Sequence, residues 1–325
     1  MRQDAHLPTA ANLGPAHGGS SIDPAAMTSL TLTSPGAANV RLGILWMLAA
    51  SVFFVSLDAT AKYLTHSYSA VEITWARYLF HTIFVIAWAG ARLPTALRRA
   101  RFGMQFLRGL FLVATTLLYF LAIRTIPLAD ATSIMFLSPI LVTALSAPLL
   151  GERVGLRRWL GVSAGLIGAL IIVRPGAGVI QLSSLLLVVA AAINALYQVT
   201  TRLLNRTDHP ITTNVYSAAV GTAAASLGLP IAWVMPDLAG WLLMALAGLC
   251  GAVGHYCMIK AFAAAPAAAV APISYVGLIW STFYGLVLFG DLPDQWTVAG
   301  ALIIVGSGLY IFYREQQRKR GQSTS

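Results

Sequence analysis

A chain of 325 residues that is 58% hydrophobic and only 10% charged, with a mean hydropathy of +0.75, departs from soluble globular chains, of which roughly a quarter is charged. The formal charge of +10 does not mark a nucleic-acid partner, because the arginines sit between apolar segments and not on one solvated face. Cys250 and Cys257, seven residues apart on one predicted helix, are too distant for a disulfide, and no metal-ligand cluster or cofactor motif is expected.

Residues 1–40 are rich in Ala, Pro, Gly, Ser and Thr without an apolar core, and read as a disordered tail. No charged segment with a short apolar run precedes the first long helix, so no cleavable signal is expected, and Met27 is a second candidate start. Ten spans follow, at about 42–61, 72–91, 103–123, 129–150, 157–173, 182–200, 213–233, 240–260, 267–289 and 296–313. Crossing the hydrocarbon takes about 20 apolar residues. The breaks fall at Pro94, Pro127, Gly151-Glu152-Arg153, Pro175-Gly176, His209-Pro210, Pro236-Asp237, Pro266 and Gly290-Asp291, residues that end helices. A basic tail, 314–325, closes the chain. With the N-terminus cytoplasmic, every Lys and Arg lies on the cytoplasmic side except Lys62, Arg124 and Arg174, with Arg77 inside the second span. That bias predicts a multi-pass inner-membrane protein with both termini in the cytoplasm.

Polar residues within spans are expensive and default to functional hypotheses. Asp58 and Lys62, spaced i,i+4 at the outer end of the first span, are expected to neutralise each other as a structural or gating pair. Arg77, His81, Phe84 and Trp88 share one helix face, expected to line the interior. Arg77 either binds an anionic or carbonyl group of a substrate or pairs with Asp58 or Glu72. His81 either relays protons, consistent with a coupling proton, or packs as a neutral hydrogen-bonded ring. In the sixth span Asn194, Tyr197, Gln198 and Thr201 lie on one side, lining a cavity or bonding adjacent helices. His255 sits among the glycines of the eighth span, while Tyr275 and Trp280 give the ninth an aromatic surface suited to a flat or amphipathic ligand. Glu152 and Asp291 are turn residues with a structural or gating role. Lys260 reads as a snorkelling interfacial residue.

A shift of 139 residues brings the halves into register, 41–175 upon 180–313: Ala122 meets Ala261, Pro127 meets Pro266, Gly151-Glu152 meets Gly290-Asp291 and Gly161 meets Gly300. Five spans per half is an odd number, so the second half must be inverted, with the substrate site expected where the halves meet. The run Ala122-Ile123-Arg124-Thr125-Ile126-Pro127-Leu128-Ala129-Asp130-Ala131, then Leu137-Ser138-Pro139, Gly151-Glu152 and Gly161 to Gly168, resembles the EamA repeat of the drug/metabolite transporter superfamily. Arg77 within Trp75 to Phe80 resembles the arginine common in that family's second helix. The second half departs from the pattern, with Asp291 for the usual Glu and Gly277-Leu278 where Ser-Pro is expected. The resemblance implies an all-α, ten-helix carrier of small metabolites such as a vitamin, S-adenosylmethionine or an amino acid, with membrane lipid as its surroundings and no nucleotide hydrolysis. The alternatives are an exporter of metabolites or metallophores on the same fold and a membrane-embedded enzyme acting on a lipid. The Gly161-Val162-Ser163-Ala164-Gly165 match to a hydrolase elbow lies within a span and lacks the strand-turn-helix context that chemistry needs.

Overall fold

The computed structural model describes residues 37–90, 102–150, 155–174, 178–204, 210–265 and 267–323. Most of the expected tail, Pro94, the turn holding Glu152, Pro175-Gly176, His209 and Pro266 lie outside the described residues. Among those described, all regular structure is helical, the arrangement that satisfies backbone polar groups inside lipid. The helices are α1 (Ala37–Leu64), α2 (Ala70–Ala89), α3 (Phe102–Ile123), α4 (Leu128–Met135 and Leu137–Leu150), α5 (Leu156–Val173), α6 (Gly178–Leu204), α7 (Pro210–Ser226, then Leu229–Ala232), α8 (Leu238–Ala264), α9 (Ala267–Val270, Ala271–Val276, Gly277–Tyr284 and Gly285–Phe289) and α10 (Gln295–Ser323). Nine of them are long and apolar enough to cross a membrane; the tenth, α7, has a main segment of 17 residues. α1 begins before the expected tail ends. α10 runs unbroken through the expected basic tail to Ser323, where Arg, Glu, Gln and Lys are good helix formers and Arg314 bonds Gln317 within the helix.

The breaks in α4 and α9 have local causes. Pro139 lacks the N–H that would bond the carbonyl four residues back, and α4 is interrupted at Phe136. Pro272 opens a 3₁₀ turn in α9, whose last turn widens to a π-helix and stops at Gly290. There φ is +71°, a conformation that favours glycine. The two breaks correspond: Phe136 and Tyr275 are separated by the repeat offset and pack ring to ring, with centroids 4.8 Å apart.

The helix pairings obey the same symmetry. α1 packs along α8 as α6 packs along α3, and α7 packs on α3 as α2 packs on α8. The pairs α2–α7, α4–α9 and α5–α10 each join a helix to its own counterpart. Exchanging the first five helices for the second five reproduces these principal pairings, as an inverted five-plus-five repeat requires, whereas the α4–α5, α4–α10 and α2–α3 contacts have no equally close counterpart. Gly168 and Gly300 bring the α5 and α10 backbones together.

Candidate functional site

The polar side chains fall into a mid-depth cluster and a set of ties at each end of the bundle. The end at which α1 begins and α10 finishes is called the terminal end; the other is the far end.

At the far end, Lys62 of α1 does not pair with Asp58, as its spacing suggests. Its Nζ donates to the Ile126 carbonyl at 2.8 Å and to Asp291 Oδ2 at 3.0 Å, and stands 5.0 Å from the Phe289 ring centre. The left-handed turn at Gly290 delivers that carboxylate, so one ammonium joins α1 to the α3–α4 and α9–α10 links. Arg174 pairs with Asp294 in the same region. Asp294 also accepts from the Trp296 and Thr297 amides and caps α10. The Arg174 hydrogen bond, with help from the Thr297 amide, lowers the Asp294 carboxyl to about 2. Asp237 caps α8 through Gly240 N at 2.7 Å and also accepts from the Tyr68 hydroxyl; these bonds hold it below the usual carboxylate range. Glu72 is fully buried, accepting from Val234 N at 3.2 Å.

At the terminal end stands Arg108 of α3, which positive-inside counting treats as loop charge. It is 5% exposed. Its Nε donates to Thr201 at 2.7 Å, Nη2 to the Tyr197 hydroxyl at 2.6 Å, and Nη1 to the Thr213 carbonyl at 3.0 Å and to Ser217. The guanidinium also lies 4.4 Å from the Tyr197 ring centre. One side chain thus ties α3 to α6 and α7. Tyr197 and Thr201 are therefore bound to this arginine, and Gln198 donates to Ser138 of α4 at 2.9 Å. The polar face of α6 bonds its neighbours, leaving half-buried Asn194 the member nearest the middle of the helix. Asp58 and Lys62 on α1 correspond, by the repeat offset, to Tyr197 and Thr201 on α6. Symmetry-related positions tie opposite ends.

Between these ties lies the cluster that the α2 pattern predicts. Arg77 is 8% exposed and His81 2%. Arg77 Nη1 donates to Thr116 Oγ1 at 2.6 Å, and its guanidinium faces the Tyr78 and Phe120 rings. His81 Nε2 lies 3.2 Å from Asn214 Oδ1. The His255 ring packs edge-on against His81 at 5.4 Å and Phe54 at 5.0 Å. Arg77 forms no ion pair with Asp58 or Glu72 among the described residues; Asp58 instead accepts from the Tyr119 hydroxyl at 3.3 Å. Three buried nitrogens here lack a hydrogen-bond partner among the described residues: Arg77 Nε, His81 Nδ1 and His255 Nδ1. A methyl placed on Gly251 of α8 would stand 3.4 Å from His81 Nδ1 and 3.8 Å from Arg77 Nε, so two of these nitrogens face one point left open by a missing side chain.

The other expected residues divide. Trp88 is 61% exposed and packs on Tyr256 at 4.2 Å, near Trp46 and above the terminal end, so it stands apart from the buried stripe below it. Exposed Lys260 lies 5.6 Å from the same Tyr256 ring. Tyr275 packs on Phe136, with its hydroxyl against Gly308 of α10. Trp280 sits beside Val55, Ala59 and Leu128, its Nε1 buried without a partner. Tyr284 of α9 shares a hydrogen bond of 2.9 Å with Ser56. Arg108, Thr116 and Tyr119 form one face of α3 at i, i+8 and i+11, a periodic polar stripe that would have marked that helix as an interior one.

The chain matches the EamA-like transporter family twice, over residues 41–174 and 181–313. It is 31% identical over 283 residues to the riboflavin transporter of Vibrio cholerae, covering 86% of this chain and 95% of that one. It is 27% identical over 278 residues to the S-adenosylmethionine uptake transporter of Rickettsia prowazekii, covering 85% and 94%. Identity to the pseudopaline exporter CntI of Pseudomonas aeruginosa is 29% over 271 residues, covering 82% and 94%. One crystal structure of a protein at 22% identity superposes with a TM-score of 0.59, covering 82% of this chain and 95% of that one, a likeness of fold alone.

Proposed function

The chain belongs to the EamA-like transporter family, and from that premise we propose that it is a secondary carrier moving a small, flat metabolite across the bacterial inner membrane by alternating access, with Arg77, His81 and His255 receiving it. The observation that carries this reading is the set of unpartnered nitrogens on those three side chains at mid-depth. Buried polar atoms are almost always hydrogen-bonded, and leaving them bare is costly in a low dielectric, so a recurring gap of this kind awaits a partner from outside the protein. Arg77 Nε offers a donor to a carbonyl or acidic group, and each imidazole offers a donor or an acceptor according to its tautomer. Phe54 and Phe120 supply apolar walls that suit a flat ring. Relatives that carry riboflavin and S-adenosylmethionine, both built on flat heterocycles, support the substrate class.

The ties at the two ends act as gates. Lys62 with Asp291 holds the far end, and Arg108 holds the terminal end; release of one while the other stays closed exposes the centre to one side at a time. The arginine bias supports cytoplasmic termini, which makes the far end periplasmic. Solute or ion gradients supply the energy, since no phosphate-cradling Gly-Lys motif is present in the sequence.

Counterflow in proteoliposomes loaded with riboflavin or S-adenosylmethionine tests the reading in both directions. Wild type exchanges at least one of them. Arg77→Ala and His81→Ala lose about tenfold or more, the consequence of removing a charge-assisted or buried hydrogen bond, while Lys260→Ala stays near wild type. Equal exchange in all three variants, or lipid turnover without any exchange, overturns the proposal.

A further inference from the structure

Asp58, like Glu72, Asp130 and Asp237, is a carboxylate that neither ion pair of the described residues uses. Lys62, one turn away on the same helix, is committed to Asp291, and the hydrogen bond to Asp58 comes from a neutral phenol, Tyr119. α2 contributes Arg77, whose charge acts on Asp58 without forming an ion pair. α4 contributes Thr132, beside Tyr119. α9 contributes Tyr284, held by Ser56, and α8 contributes His255, packed on Phe54 one turn before Asp58. Asp58 is surrounded by protein yet remains half-buried, with part of its surface accessible. Arg77, for its part, hydrogen-bonds neutral Thr116 and leaves Nε bare. The mid-depth centre therefore holds two formal charges of opposite sign, near each other and unpaired.

Resting on the transport reading above, we propose that Asp58 is a proton-binding site, and that charge balance with Arg77 couples its proton to one anionic group on the substrate. Four states are available. With Asp58 ionised and the site empty, carboxylate and guanidinium cancel. With Asp58 protonated and a carboxylate lodged on Arg77, the substrate's charge cancels the guanidinium and the centre is again neutral. The two mixed states leave one net positive or one net negative charge at mid-membrane, where an uncompensated charge is most expensive. The halves reorient in the neutral states, so proton and anion travel together. On loading, a proton from water adds to an Asp58 oxygen as the substrate carboxylate takes its place on Arg77. On release the proton leaves Asp58 for water on the other side and the original pair re-forms. Two species enter and the same two leave, so the cycle balances. An inward proton gradient then drives accumulation inside, and the substrate class narrows to flat metabolites bearing one anionic group.

The test uses the purified full-length chain in lipid nanodiscs. Infrared difference spectra between acidic and alkaline buffer should show a carboxyl C=O band that is lost in Asp58→Asn, shifted but kept in Asp58→Glu, and kept in Glu72→Gln, which removes a buried carboxyl elsewhere. Titration calorimetry in buffers of different ionisation enthalpy then compares riboflavin with carboxymethylflavin, the same ring carrying a carboxylate. Carboxymethylflavin should draw in about one proton per molecule bound, and its affinity should fall about tenfold per pH unit once Asp58 is ionised. Riboflavin should draw none. Asp58→Asn, which mimics the protonated acid, should bind carboxymethylflavin without proton uptake and without that pH dependence. A band that survives Asp58→Asn, proton uptake that persists in that variant, or equal uptake with riboflavin overturns the proposal. If neither flavin binds wild type, the flat-ring reading of the transported substrate fails, while the infrared band still decides whether Asp58 is the proton site.

Discussion

Two buried arginines differ in how completely the surrounding protein engages their nitrogens. Arg108 has its guanidinium nitrogens engaged on two neighbouring helices, whereas Arg77 keeps one bare. Removing Arg108 takes away the donor shared by Thr201, Tyr197, Thr213 and Ser217, so Arg108→Ala should destabilise the protein by on the order of 3 kcal/mol, read as a drop of several degrees in thermal unfolding in detergent. Arg77→Ala should leave the melting temperature near wild type and abolish exchange. Arg77→Lys should not restore it, because an ammonium lacks the planar fork. Gly251→Val should also abolish exchange without unfolding the bundle: its Cβ meets a flexible Leu57 methyl at 3.1 Å but intrudes on the space facing His81 and Arg77. A normal melting temperature with intact exchange would show that this space is not the site. Arg77, His81 and His255 were legible in the sequence because ionisable residues stand out in apolar runs. Arg108 was not, because it lies within the first turns of its span, where arginine is expected anyway. The partner of Lys62 was misread for a different reason: local spacing favours Asp58, and nothing local reveals a carboxylate 229 positions away.

At the scale of elements, the informative helices are the broken ones. Pro139 and Pro272 interrupt α4 and α9 at corresponding places, and Phe136 meets Tyr275 across the pseudo-symmetry axis. Tyr275 presses its hydroxyl against Gly308, leaving no space for a side chain on α10. Gly308→Ala should therefore cost about 1–3 kcal/mol by overpacking, and Gly308→Ala with Tyr275→Phe should recover most of it, as a double-mutant cycle of melting temperatures would show. No recovery would mean the strain lies elsewhere. The α10 cap has a pH signature. Asp294 falls from 3.8 to about 2 on folding, so its contribution is complete above the unfolded value and is lost as pH falls through about 2. Its side chain is 49% exposed, which keeps that contribution small. The spans themselves were legible from apolar runs and Pro or Gly breaks. The four-piece construction of α9 was not, since hydropathy records only that a stretch is apolar and is blind to which backbone hydrogen bonds a proline displaces.

For the whole molecule, the governing feature is that ten helices pair as two inverted sets of five. The odd number of spans per half made this legible from the sequence, and the offset of 139 located it. The symmetry holds in the principal pairings and is broken in chemistry: a lysine–aspartate tie secures the far end, whereas an arginine among hydroxyls and a tyrosine secures the terminal end at corresponding positions. Under the proposed function, two unlike ties would let one end open while the other holds, which is the physical content of alternating access. The most direct test is a pair of spin-label distances measured in lipid with and without transported substrate. One pair spans the far end, at exposed Tyr63 and Leu292; the other spans α3 and α6 at the terminal end, at Phe102 and Leu203. The account predicts that one distance lengthens as the other shortens. Both changing in the same sense, or neither changing while substrate is carried, would contradict it.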